Sequence, residues 1–200
     1  KTMTRKLPIA GTLTAAGALF LAVLVPTAHA ATPQPKIVVI DRSVVLRNSK
    51  VGQDIVRQIN GYTTQAESDL KAQGAALQRD GKAFQQQAAI LSADLKNKKL
   101  RELEARRAGL QAQVQKKQSL IQGGFIKARS TVEQALGPIL QGIMAERGAN
   151  LLLDRNAVVL GTVDVDITQQ TIQRLNQKMP SLKVELVPPP PGMQQQQPPQ

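Results

Sequence analysis

Thirteen basic side chains lie between residues 71 and 129: Lys71, Arg79, Lys82, Lys96, Lys98, Lys99, Arg101, Arg106, Arg107, Lys116, Lys117, Lys127 and Arg129. Only Asp80, Asp94, Glu102 and Glu104 oppose them in that stretch. Such a set does not make or break bonds. It attracts an anionic partner by its field and speeds encounter. A merely solvated helix face is the bland alternative. Two features weigh against it. Alternating Glu–Lys pairs would solubilise a helix equally well and stabilise it more. Lys98, Lys99 and Arg101 also stand at the start of an expected helix, where the dipole disfavours cations.

Covalent and metal chemistry find little support. The chain has no Cys, and its one His is His29. Residues 1–30 read as an export signal, so that His is expected to leave with it. Lys1, Arg5 and Lys6 form a basic n-region, Ile9 to Val25 is uncharged and largely apolar, and Ala28-His29-Ala30 is a small-x-small cleavage site. An uncleaved anchor is the competing reading, since the apolar run is marginal for a span. Cleavage after Ala30 leaves 23 basic against 14 acidic side chains. Without thiolates or imidazoles no ordinary zinc site can form. The acids are scattered singly, so no catalytic pair is expected. The chain reads as a non-enzyme without cofactor or metal. Nucleic acid is disfavoured as the anionic partner by the export signal. It is further disfavoured because Tyr62, Phe84 and Phe125 are the only aromatics left for stacking. Anionic membrane surfaces and acidic unfolded proteins remain.

The charged stretch needs elements to carry it. Apolar residues recur at helical spacing through Ile55, Ile59, Ala66, Leu70, Leu77, Phe84 and Leu91. The pattern resumes through Leu100, Leu103, Leu110, Val114, Ile121, Phe125, Val132 and Leu136. Between them, residues 92–98 carry polar residues suited to a helix–helix turn. An antiparallel hairpin folded there pairs Leu91 with Leu100, Leu77 with Val114, Leu70 with Ile121, Ile59 with Val132 and Ile55 with Leu136. It also puts Arg107 opposite Phe84, a cation–π arrangement. One continuous helix in a parallel coiled coil is the alternative. At about 1.5 Å per residue the arm is roughly 60 Å long. Gly123-Gly124 reads as a soft point, and Gly137-Pro138 as a kink or a division of the return helix.

Short apolar runs flank the arm. Lys36-Ile-Val-Val-Ile-Asp41 is β-branched and reads as a strand. Leu151–Leu153 and Val158–Leu160 read as two more, joined at Asp154-Arg155-Asn156. Ser43 is a candidate cap for a short helix. Thr168 is another, for an amphipathic helix holding Ile172, Leu175 and Met179. Three short strands cannot stand alone. Oligomerisation through Ile37, Val39, Leu151, Leu153, Val158 and Leu160 is the expected remedy. The expected layout is a signal at 1–30, a small body from 31–54 and 137–182, an arm at 55–136, and a disordered Pro/Gln-rich tail at 183–200. The fold class is α+β, mostly helical, with a small sheet and a long hairpin arm.

The ends of this pattern resemble the Skp/OmpH family of periplasmic chaperones. The resemblance rests on Lys36-Ile-Val-Val-Ile-Asp41, on Leu151-Leu-Leu-Asp-Arg-Asn-Ala-Val-Val-Leu160, on Val163-Asp-Val-Asp-Ile-Thr168 and on Ile172-Gln-Arg-Leu-Asn176. The low-motif basic arm lies between them, and the tail lies outside. The resemblance implies a homotrimer with a β body and helical tentacles that enclose unfolded outer-membrane β-barrel proteins in the periplasm. It implies no ATP and no catalytic residues. An envelope protein whose arms dock on anionic lipid is the second reading.

Overall fold

The computed structural model describes residues 34–192. The expected signal segment and the last eight residues of the expected tail lie outside the described residues. The order is β1 (Ile37–Ile40), α1 (Arg42–Asn48), α2 (Lys50–Gln87), α3 (Ala93–Arg147), β2 (Leu151–Asp154) and α4 (Thr168–Lys178). Two 3-10 turns, Arg155–Ala157 and Val163–Val165, separate β2 from α4. The protein is α+β and mostly helical.

β1 and β2 pair in parallel, with Ile37 opposite Leu151 and Ile40 opposite Asp154. A parallel pair needs a crossover, and here the crossover is the whole helical arm. Val38 and Ile40 face a core that includes Val45, Val51, Ile55, Val132, Ile143, Ile167 and Leu175. Helix ends are capped locally. Asp41 accepts a 2.8 Å bond from Val44 N–H and so starts α1; Ser43, the expected cap, lies inside that helix. Ser49 ends α1 and begins α2, donating its N–H to Val45 O and accepting from Gly52 N–H. A Cβ on Gly52 would sit 1.6 Å from Leu46 O, so this corner requires glycine. Gly148 ends α3 at φ 61°, the left-handed stop that glycine accepts readily.

The arm is the pair α2 and α3, of 38 and 55 residues. Its turn falls at residues 88–92, earlier than the expected 92–98. Ser92 accepts from Leu95 N–H and caps α3, and Asp94 in the first turn suits the helix dipole. The earlier turn shifts the register by about one helical turn. Leu77 lines one groove with Leu110, a Cβ on Gly74 would touch Leu110 at 3.9 Å, and Phe84 shares its groove with Leu103. The expected Leu77–Val114 and Phe84–Arg107 pairs are replaced. α3 also runs unbroken through Pro138, so Gly137-Pro138 does not divide it.

Two expectations at the body change. Val158–Leu160 is not a strand. The Asp154 carboxylate accepts from Asn156 N–H and turns the chain, leaving Val159 and Leu160 104% and 91% exposed. The free edge of β1 is bridged instead at Val39 by Asp166. Thr168 opens α4, yet its hydroxyl accepts from Asp41 N–H at 2.9 Å rather than capping its own helix. The third correction concerns the tail. Residues 182–189 form neither helix nor strand and lie along the arm root, with Val184 1% exposed. Main-chain bonds and apolar burial hold them, which composition alone did not suggest. Gly123 and Gly124, expected as a soft point, form their seat.

Candidate functional site

All thirteen basic residues stand on the two arm helices: Lys71, Arg79 and Lys82 on α2, the rest on α3. Four are engaged. Arg106 pairs with Asp80 and Lys117 with Asp69 across the hairpin. Arg129 pairs with Glu133 on its own helix, and Lys127 with Glu185 of the C-terminal segment. Hydrogen bonds from Lys117 and Gln65 hold the Asp69 carboxyl below its ordinary range. The Lys127 hydrogen bond, and then its charge, do the same for Glu185.

The other nine are exposed and make no ion pair among the described residues: Lys71, Arg79, Lys82, Lys96, Lys98, Lys99, Arg101, Arg107 and Lys116. Four of them crowd the first turns of α3. Beside them Ile90, Leu95 and Leu100 are 86%, 51% and 40% exposed. The tip thus offers apolar surface within a basic field. Its cations have no fixed partners to be stripped away before they meet a new one. No helix among the described residues is long and apolar enough to cross a membrane. No group of carboxylates or imidazoles among them is placed to hold a metal ion.

The residues expected at the oligomer contact separate into two groups. Ile37, Val39, Leu151 and Leu153 share the sheet face away from the helical core, as their register requires. Val39 is buried, while Ile37 and Leu151 are 38% and 42% exposed. Val158 and Leu160 stand apart in the following loop, where Val159, Leu160 and Val163 are the exposed apolar side chains.

Sequence reasoning missed the arm root. Gln58 donates from Nε2 to Leu182 O at 2.8 Å and accepts from Val184 N–H at 2.9 Å. Tyr62 donates its hydroxyl to Val184 O, and Asp54 accepts from Leu182 N–H. One signal was available: Leu182, Val184 and Leu186 alternate with polar residues in strand fashion.

Comparison with known proteins agrees with this architecture. A crystal structure of an OmpH-like outer membrane chaperone candidate from Caulobacter crescentus CB15 superposes with a TM-score of 0.73. It covers 76% of this chain and 90% of that one at 23% identity, a likeness of fold. No curated protein matches the sequence. The family profile described as outer membrane protein (OmpH-like) matches residues 36–175, from the lysine before β1 into α4. This chain belongs to the OmpH-like family.

Proposed function

We propose that the chain is an ATP-independent periplasmic holdase that captures unfolded outer-membrane β-barrel proteins between basic helical arms and keeps them from aggregating. The observation that carries this reading is the set of nine exposed cations along the arm that make no ion pair among the described residues, four of them beside exposed Ile90, Leu95 and Leu100. Charge attracts an acidic unfolded chain from a distance. The apolar tip residues then make contacts weak enough to be released. The family membership and the description of the related structure as a chaperone candidate point the same way. In this reading residues 1–30 direct export and are removed after Ala30. Residues 31–54 and 137–182 form an oligomerising body, and residues 55–136 form the working arm. The body is trimeric, burying the exposed faces of Ile37 and Leu151 and the Val159–Val163 loop. The reading requires neither cofactor nor catalysis.

The test is suppression of aggregation of an unfolded outer-membrane protein by the mature chain across salt concentrations. Suppression that weakens as salt rises is expected, because exposed charges are screened over about 8 Å at physiological ionic strength. Co-sedimentation with anionic vesicles and no suppression would transfer the arms to a membrane-surface role.

A further inference from the structure

The C-terminal segment lies outside the family match, which ends at residue 175, yet it is seated at the root of the arm. The seat reads main chain more than side chains. The Gln58 carboxamide pairs with both the carbonyl of Leu182 and the N–H of Val184, as a neighbouring strand would. Asp54 takes the N–H of Leu182, and Tyr62 reaches the carbonyl of Val184 at 3.2 Å. Gly123 and Gly124 let a backbone lie directly on α3. A Cβ at Gly123 would stand 2.0 Å from Val187 O, and one at Gly124 2.7 Å from Glu185 O. Of the segment's side chains between Leu182 and Val187, Val184 alone is fully buried. Beyond it, a cleft of about 990 Å³ lies between α3 and the prolines, lined by Phe125, Ile126, Ser130 and Pro188 among others.

The occupant has a telling pattern. Ser181-Leu-Lys-Val-Glu-Leu186 alternates polar and apolar residues. That period-two alternation is also the sequence signature of a transmembrane barrel strand. We propose that this groove is a binding site for an extended polypeptide of alternating apolar residues, and that residues 182–189 fill it in cis as a stand-in for a client strand. Main-chain bonds supply affinity with little dependence on sequence, and the Val184 pocket sets the preference for an apolar residue at one position. A tethered occupant faces its site at a high effective concentration. Free segments therefore compete poorly until the strap is displaced. The client identity rests on the holdase reading; the groove and its cis occupant do not.

The experiment uses the full chain and a fluorescent peptide of residues 180–191. Val184→Asp puts a charge in the apolar pocket and releases the strap while leaving the groove open. Gly123→Ala releases the strap but closes the groove, and the alanine favours the helix it sits in. Helical circular dichroism confirms that both variants fold. Val184→Asp is expected to bind the peptide about ten-fold tighter than the parent or better, Gly123→Ala no tighter, and an unfolded barrel protein to displace the bound peptide. Equal binding by parent and Val184→Asp, or equal gain in Gly123→Ala, overturns the groove. Peptide binding that an unfolded barrel protein cannot displace overturns the client-strand assignment. Failure of the holdase reading has a different mark. Aggregation suppression would be absent in parent and both variants while the peptide still bound Val184→Asp alone, an outcome that upholds the groove.

Discussion

Lys117 Nζ lies 2.8 Å from Asp69 Oδ2, a bond between the two arm helices. With Arg106 on Asp80, it marks a register of α3 about one helical turn away from the one that the apolar spacing suggests. The heptads are satisfied in either register, because a shift of one turn brings another apolar residue to nearly the same face. The charged pairs and the Ser92 cap form in this register.

Oxidative cross-linking reads this register directly, since the protein has no cysteine of its own. The pair Leu77→Cys with Leu110→Cys is expected to close faster than Leu77→Cys with Val114→Cys. Faster closure of the second pair would restore the heptad register.

Much of the fold was legible because its signals are local. The β-branched run of β1 and the helical spacing from Ile55 to Leu136 each act within a few residues of themselves. The missed features depend on distant partners. Val158–Leu160 has strand-forming residues, but Asp166 holds the free edge of β1 and Asp154 turns the chain away. The seat at Gly123 and Gly124 looks like weakness in a lone helix and becomes purposeful only when residues 182–189 lie on it. The basic arm was fully visible as composition. Which of its cations are already spent on Asp69, Asp80, Glu133 and Glu185 was not.

The arm is anchored at its root and lightly packed at its tip. Ile55 and Val132 are each 1% exposed and belong to the core shared with β1 and α4. Ile55→Ala is expected to cost about 2–5 kcal/mol. Leu95→Ala, at a half-exposed tip position, is expected to stay within about 0.5 kcal/mol of the parent. Denaturant unfolding followed by helical circular dichroism compares the two.

Charge reversal at the tip separates steering from apolar contact. Lys98→Glu, Lys99→Glu and Arg101→Glu together change the local field without touching the core. They are expected to slow association with an unfolded, acidic barrel protein several-fold at low salt, with a much smaller difference at high salt. Stopped-flow fluorescence at two ionic strengths measures both rates. An unchanged association rate at low salt would assign capture to Ile90, Leu95 and Leu100 alone.

The exposed loop after β2 is the place to break the proposed trimer. Leu160→Asp introduces a charge at a side chain that is 91% exposed in the single chain. It is expected to leave the protomer folded and to lower the native mass of the assembly. Native mass spectrometry combined with circular dichroism reads both. An intact trimer carrying the substitution would move the contact to the sheet face of Ile37 and Leu151.

Acid should free the strap before it melts the arm root. Lys127, and less strongly Lys183, hold the docked Glu185 carboxyl below its ordinary value of 4.5. A carboxylate with a lowered pKa favours the state in which it is paired, so its contribution to docking is present above the ordinary value. That contribution fades as pH falls through the lowered value. Asp69, Glu146 and Asp154 are depressed in the same direction, so the arm and body also lose support in acid. The core of Ile55, Val132 and Ile143 contains no titrating group and persists. A fluorophore placed beyond Pro191 is expected to gain mobility as pH falls through the lowered Glu185 value, ahead of the loss of helical signal. Glu185→Gln removes the titrating group, so strap mobility in that variant should follow the helical signal alone; an acid transition unchanged by the substitution would place the control elsewhere than the Lys127 pair.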